Sequence, residues 1–579
     1  MDEAGSPPQD SPINAVASSD NPARRILEMV NHRTFVVIAV TAIWFLAAAV
    51  AISAVSGVGP LFWNDSINHL WTVSAVDSQG FLPSATISGT KTGQFYPLLA
   101  FYGGTLYWAT NLVGRITGSF EFAFSLSILA SFAAAFLGTF WFARQLKVRV
   151  ILASVGGLAM ITCPYFLTNI FGRGAWPEFI ATAWIPLLLA AIAATVKKPT
   201  VWSVALVALS TAVVSGSHVI TLIYGMGFLV AVLIAVAILN RPWFRQRRGM
   251  IYAGAAFVLG VAINAWWIAT TLSYGSSTVI GGLRFFQYGM EFTQLRFVLS
   301  PFLAVPGSST TPHLHGNAPV WVLIATLVGI AITLATRQMR IRTAAVLVLG
   351  LGILIALGSS DAIWHHLPKS LLVIQFPYRT LTYTSLWVIG SWIMVGAALL
   401  RPAQRPSLNI TLLVSCLLIA GVSVQVLFSI TQISDSHRDA LSFDRELATD
   451  SATPETFYSP GDYRFTGGST PFERAIDVQK QCTERRCTLS NLNAGEPTQI
   501  SVPDTPFVRV VPESASVGRS RDGFLVVTAG PNQTVIVEPT RPTIAVIGLV
   551  ISILAVIATI ALLAWMLLRS PTAINTTSK

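Results

Sequence analysis

The sequence predicts an all-α polytopic membrane protein of about twelve transmembrane helices, with a small external β domain placed before the last helix. Three observations lead there. Of the 579 residues, 53% are hydrophobic and only 11% are charged, and the mean hydropathy is +0.63. A soluble domain carries about a quarter of its residues as charges. The apolar residues come in long runs. The basic residues, which give a net charge of +11, fall in short clusters at every second connection between those runs. That spacing is what membrane topology requires, and it argues against nucleic acid as a partner.

Residues 1–33 are polar and rich in Pro, Ser and Asp, without the apolar core of a cleavable signal. They read as a disordered cytoplasmic tail. Twelve apolar segments follow that are long enough to cross a hydrocarbon core, which takes about 17–25 helical residues. They lie at 34–56, 121–143, 150–170, 178–196, 201–218, 222–239, 250–272, 319–336, 343–358, 381–399, 408–430 and 542–567. Arg24, Arg25 and Arg33 place the N-terminus in the cytoplasm. Arg144/Lys147/Arg149, Lys197/Lys198, Arg241/Arg245/Arg247/Arg248, Arg337/Arg340/Arg342 and Arg401/Arg405 continue the alternation. The alternation holds only if 97–117, which is apolar enough to count, lies in or dips into the outer interface. Both termini are then cytoplasmic, and every long or polar loop is external.

The resulting organisation is a membrane part at 34–430 with a first external loop at 57–120, a β-rich external segment at 431–541, a last helix at 542–567 and a short cytoplasmic tail at 568–579. Within the external segment, QISV, FVRVV, GFLVVT and QTVIVEP alternate in strand fashion between Pro, Gly, Asp and Asn turns. Cys482 and Cys487, in CTERRC, suit a small disulfide loop in an oxidising compartment. A metal pair is the alternative, although no nearby His or Cys completes a site. Cys163 and Cys416 fall in spans and read as buried thiols.

Phosphate loops, HExxH, GxSxG and paired CxxC motifs are all absent. The remaining candidates are external polar residues near span ends. Asp65 and His69 share one helical face, flanked by Trp63 and Trp71, with Asp77 further along the loop. Asp65 reads either as a catalytic carboxylate or as a helix cap. Arg173 and Glu178 flank the Trp176-Pro177 turn: Arg173 suits a phosphate, or it pairs with Glu178. His218 sits at a span end, a position where a structural role is the commoner one. Asp361, His365, His366 and Lys369 precede Gln375 and Arg379, and an Arg opening a span needs an anion, from a substrate or from the protein itself. Arg284, Glu291 and Arg296 lie in the preceding loop, and His313 and His315 form a weak metal signal.

Taken together, these residues resemble a known group. Asp65-x-x-x-His69 after the first span, followed by YPLLAFY (96–102), looks like the GT-C superfamily of multispan glycosyltransferases. FGRGAWPEFIATAWIPLLL (171–189), SGSHVITLIY (215–224) and IQFPYRTL (374–381) are similar to bacterial membrane proteins called 6-pyruvoyl-tetrahydropterin synthase-related, although nothing in them suggests pterin chemistry. The GT-C resemblance implies transfer of a sugar from a polyprenyl-phosphate donor to a cell-envelope glycan or lipid acceptor, on the external face of the plasma membrane. It places the general base on Asp65. His69, Arg173, Glu178, His218, Gln375 and Arg379 would bind substrate, with the arginines as a phosphate clamp. A clear DxD is missing, which leaves the divalent metal of some members an open option and no cofactor certain. A non-catalytic transporter or assembly factor for envelope glycans or lipids is the alternative. A transporter would more often show charges midway through spans and repeated halves, and neither is evident here.

Overall fold

The computed structural model describes residues 22–56, 65–76, 82–87, 94–239, 246–278, 295–299, 318–360, 363–366, 377–399, 417–418, 421–422, 479–483, 486–490, 492–512, 514–520, 523–531 and 534–569. The first helix, α1 (Pro22–Ser56), starts ahead of the expected span, so part of the segment read as a disordered tail is helical. A short helix, α2 (Asp65–Ser74), comes next. Residues 97–117 form a 3₁₀ turn at Leu98–Ala100 and helix α3 (Gly104–Thr117). At 14 residues α3 is about 21 Å long, too short to cross about 30 Å of hydrocarbon.

The next helices carry the apolar runs: α4 (Phe120–Gln145), α5 (Val150–Ile161), α6 (Trp176–Lys197), α7 (Val201–Ser217), α8 (Val219–Leu239), α9 (Arg247–Ala262) and α10 (Ala265–Tyr274). They are followed by α11 (Val320–Ala335), α12 (Ile341–Ser359), α13 (Leu381–Leu399) and α14 (Thr543–Arg569). Among the described residues seven helices are long and apolar enough to span, or nine if each of two bent pairs is one span. Two more apolar helices, α7 and α11, are shorter. The span expected at 408–430 lies largely outside the described residues.

Both bends interrupt segments that the hydropathy reads as single spans. After α5 the chain bends by 46°. Pro164, which has no N–H to continue the ladder, opens a single helical turn (Pro164–Leu167) that runs into a π turn at Thr168–Gly172. Between α9 and α10 the bend is 67°. There Asn264 donates to the Ala212 carbonyl at 2.8 Å and to Ser215 Oγ at 2.6 Å, while the Trp266 N–H donates to Ser552 Oγ of α14 at 3.0 Å. The last of these satisfies a backbone N–H at the break, as burial in an apolar medium demands, and the Asn264 amide ties the bend to α7.

The helices run between two chemically distinct ends. At one, Lys197 donates to the Gln145 carbonyl, and α9 begins against the end of α6, with Gly249 packed on the Val196 carbonyl. Lys197, Lys198, Arg247 and Arg248 make this the basic end. At the other end lie α2, the π turn, His218 and the 3₁₀ turn Pro377–Thr380.

The segment before α14 forms seven strands: β1 (Gln479–Cys482), β2 (Cys487–Ser490), β3 (Pro497–Pro503), β4 (Val508–Val511), β5 (Ser516–Arg519), β6 (Phe524–Thr528) and β7 (Val535–Pro539). They make two antiparallel sheets, in the orders β1-β2-β7-β4 and β3-β6-β5, around a core that includes Leu489, Ile500, Val527 and Val537. Cys482 and Cys487 are cross-strand partners joined by a disulfide, and Cys163 is a buried free thiol.

Candidate functional site

The site is built at the polar-loop end from segments far apart in sequence. Gly174, at φ +64, turns the chain from the π turn into α6, a backbone region that favours glycine. The turn places Arg173 on one side and Glu178 in the first turn of α6, where the positive end of the helix favours a carboxylate. Trp176 anchors this corner: it is fully buried, stacked on Phe124 with centroids 4.5 Å apart, and its indole donates to Ser127 Oγ at 2.9 Å.

Glu178 is the hub. Its Oε2 lies 3.1 Å from Arg173 Nη1 and 3.3 Å from Arg379 Nε. Its Oε1 accepts from the Tyr165 hydroxyl at 3.0 Å. Arg173 also donates to Asn169 Oδ1 at 2.9 Å, and its guanidinium lies 5.3 Å from the centre of the Tyr378 ring. The three charged side chains are almost fully buried, with relative exposures of 7% for Arg173, 12% for Arg379 and 3% for Glu178. Buried charges of this kind persist only when paired and hydrogen-bonded. The Asn169 amide nitrogen is buried without a hydrogen-bond partner among the described residues, a donor held ready beside Arg173.

His218, between α7 and α8, is buried. Its Nδ1 accepts from the Thr221 hydroxyl at 2.8 Å and from the Thr221 N–H at 3.3 Å. The proton of the neutral ring therefore sits on Nε2. Tyr102 bridges the two histidines: its ring lies edge-on to His218 at 5.9 Å and stacks on His69 at 6.3 Å. On α2, His69 Nδ1 shares a 2.6 Å hydrogen bond with the Tyr107 hydroxyl of α3, and the ring also faces Trp176 at 6.1 Å. Burial pushes its imidazole from 6.5 down to about 3, so it acts here as a neutral hydrogen-bonding group and not as a cation.

The structure therefore brings together His69, Arg173, Glu178, His218 and Arg379. Asp65 opens α2 one turn before His69, and its side chain lies outside the described residues. Gln375, Asp77, Asp361, Lys369, Arg284, Glu291, His313 and His315 lie outside them too, as does the His365 side chain. His366 is exposed, and Arg296 sits in a short helix at Leu295–Val298. Among the described residues no three His, Cys, Asp or Glu side chains form a metal-ligand group. The sequence reading missed Tyr165, Asn169, Tyr107 and Tyr378. Asn169 near the end of an apolar span, and Tyr378 adjoining Arg379, were the available signals.

Fold and site define a mostly helical membrane protein with a buried charged cluster at one end and a small antiparallel β domain before its last helix. More narrowly, the chain belongs to the 6-pyruvoyl-tetrahydropterin synthase related family of membrane proteins, whose model matches residues 99–434. Arg173, Glu178, His218, Gln375 and Arg379 fall inside the matched region; Asp65 and His69 precede it. Among solved structures, the arabinofuranosyltransferase AftD from Mycobacteria is similar at 16% identity with a TM-score of 0.43. The match covers 67% of this chain and 27% of that one, so the chain spans about a quarter of its length. No curated protein matches.

Proposed function

We propose that this chain is a membrane glycosyltransferase that moves a sugar from a polyprenyl-phosphate donor to an envelope glycan or lipid acceptor on the external face, with Asp65 as general base. The observation that carries this reading is the convergence of His69, Arg173, Glu178, His218 and Arg379 beside the helix that Asp65 opens. Two guanidiniums on one buried site suit the phosphate of a lipid-linked donor. The resemblance of the membrane part to GT-C enzymes supplies the reaction class.

A second feature supports a lipid-linked substrate. An apolar crevice between α6, α7, α8 and α9 is lined by Ile185, Leu188, Val214, Leu222, Phe228 and Phe257. Its upper edge, Leu222, is hydrogen-bonded through its N–H to the His218 carbonyl. A chain lying in the crevice would thus enter one helical turn from the charged cluster. In this reading 34–430 is the membrane domain, 431–541 an external β domain, and 542–567 the returning helix, with both termini cytoplasmic in the plasma membrane.

The engagement of both arginines with Glu178 favours a second reading, in which the cluster is a structural clamp in a non-catalytic transporter or assembly factor for envelope glycans or lipids. Reconstitution of the purified chain with a panel of polyprenyl-phosphate sugars separates the two. Release of polyprenyl phosphate coupled to acceptor glycosylation supports the enzyme. Binding without turnover across the panel supports the clamp.

A further inference from the structure

The basic end carries a feature that the proposed chemistry does not use. Arg248 and Tyr252 lie one turn apart at the start of α9, and Trp565 and Arg569 one turn apart at the end of α14. The Arg248 guanidinium lies 5.8 Å from the centre of the Tyr252 ring, and that of Arg569 lies 4.4 Å from Trp565. The two rings pack on each other with centroids 6.1 Å apart. Two antiparallel helices thus present two cations on one aromatic ledge. Among the described residues neither guanidinium has a carboxylate partner, and no Asp or Glu occurs in the sequence at 190–205, 240–252 or 565–579.

We infer that this ledge binds the headgroup of an anionic phospholipid. Stacking on a ring fixes the plane of a guanidinium and leaves its edge N–H groups to donate to phosphate oxygens. The surroundings select a lipid over a soluble anion. Ile251, three residues on from Arg248, and Leu568, next to Arg569, are 71% and 86% exposed. Such apolar surface beside the cations suits acyl chains. Trp565, 40% exposed, has the amphipathic ring that suits the headgroup level. Lys197 and Lys198, at the end of α6 where α9 begins, add to the same field.

The test uses the full chain in a neutral detergent and follows its thermal midpoint on titration with phosphatidylglycerol, phosphatidylcholine or inorganic phosphate. Phosphatidylglycerol should raise the midpoint saturably, and the other two should not. In Arg248→Gln/Arg569→Gln the apparent affinity for phosphatidylglycerol should fall by about 30-fold, from about 1 kcal/mol for each basic residue near an anionic surface. Arg340→Gln/Arg342→Gln, which removes charge from another basic cluster, should change it little. Arg569→Gln alone, at the last residue of α14, gives the same test if the double variant folds poorly. An equal effect of phosphatidylcholine or phosphate, or an equal loss in the Arg340/Arg342 control, overturns the site.

Discussion

Phe95 of the first long loop and Phe507 of the β domain each lie in the other's core. Phe95 is fully buried among Cys487, Ile500, Val502 and Val527 of the β domain. Phe507 is fully buried in the membrane core, edge-on to Phe101 at 6.0 Å and to Tyr274 at 6.1 Å. The Gln94 N–H donates to the Ser501 carbonyl at 3.0 Å, and Arg541 donates to the Pro83 carbonyl at 2.9 Å. Phe95 holds φ at +58°, a conformation that a bulky residue adopts rarely and at a cost. Its insertion, worth about 1.5–3 kcal/mol of burial, is what offsets that cost.

The reciprocal insertion ties the β domain to Tyr102, seven residues on from Phe95 and in contact with both histidines. Phe507→Ala should therefore loosen the loop as well as the strands. Amide exchange in 94–102 and in β3 should accelerate together, while exchange in α4 and α6 stays unchanged. If only one of the two segments responds, the coupling does not exist. Within 479–539 the aromatic residues are Phe507 and Phe524, and neither is exposed. The described strands hold the loop through Phe95 and the Gln94–Ser501 bond.

His69 makes stability depend on pH with a definite sign. Its folded value of about 3 is below the ordinary 6.5, so the folded state binds the proton less readily than the unfolded state. Stability from this group is complete above 6.5 and declines as the pH falls from there towards 3, by up to about 1.4 kcal/mol per unit. The midpoint of unfolding in detergent should thus drop between pH 7 and pH 5. His69→Gln, which cannot take up the proton, should show a shallower drop; equal slopes would dismiss the assignment.

The spans were legible because lipid imposes a simple rule on backbone and composition, so eleven of the twelve apolar runs correspond to helices among the described residues. The interruptions were less so. Pro164 inside a span was a readable signal, whereas Asn264 breaks its helix through partners 49 and 52 residues away, which no local pattern reveals. The candidate site was half legible. Arg173, Glu178, His218 and Arg379 stood out as polar groups at span ends, but their convergence on Glu178, and the hydroxyls of Tyr165 and Tyr107, are products of tertiary packing.

The Glu178 hub separates the two arginines by experiment. Glu178→Gln removes the carboxylate charge that Arg173 pairs with among the described residues, and should destabilise the fold by about 3–5 kcal/mol, as expected for a broken buried ion pair. Arg379→Lys keeps the charge but loses the planar fork. On the donor-clamp reading it should weaken binding of a polyprenyl-phosphate sugar by about 1–3 kcal/mol with little change in melting temperature. A variant with wild-type donor affinity and lowered melting temperature would make Arg379 a structural partner of Glu178.

Asp65→Asn tests the function itself. Asp65 is the first residue of α2, and the helix it opens carries His69 into the cluster one turn later. Asparagine keeps the shape and can still cap a helix, so folding should change by no more than about 0.5–2 kcal/mol. It cannot usefully accept a proton from an acceptor hydroxyl attacking the anomeric carbon. General-base catalysis is typically worth about 10²–10⁴-fold, and the transfer rate should fall by that factor while donor binding is retained. Asp65→Glu, which keeps the carboxylate but moves it by a methylene, should recover part of the rate. A stable Asp65→Asn protein that transfers sugar at the wild-type rate would rule the base out, and Asp77 of the same loop would be tested next. A rate lost equally in Asp65→Asn and Asp65→Glu, with donor binding lost in both, would assign Asp65 to substrate binding instead.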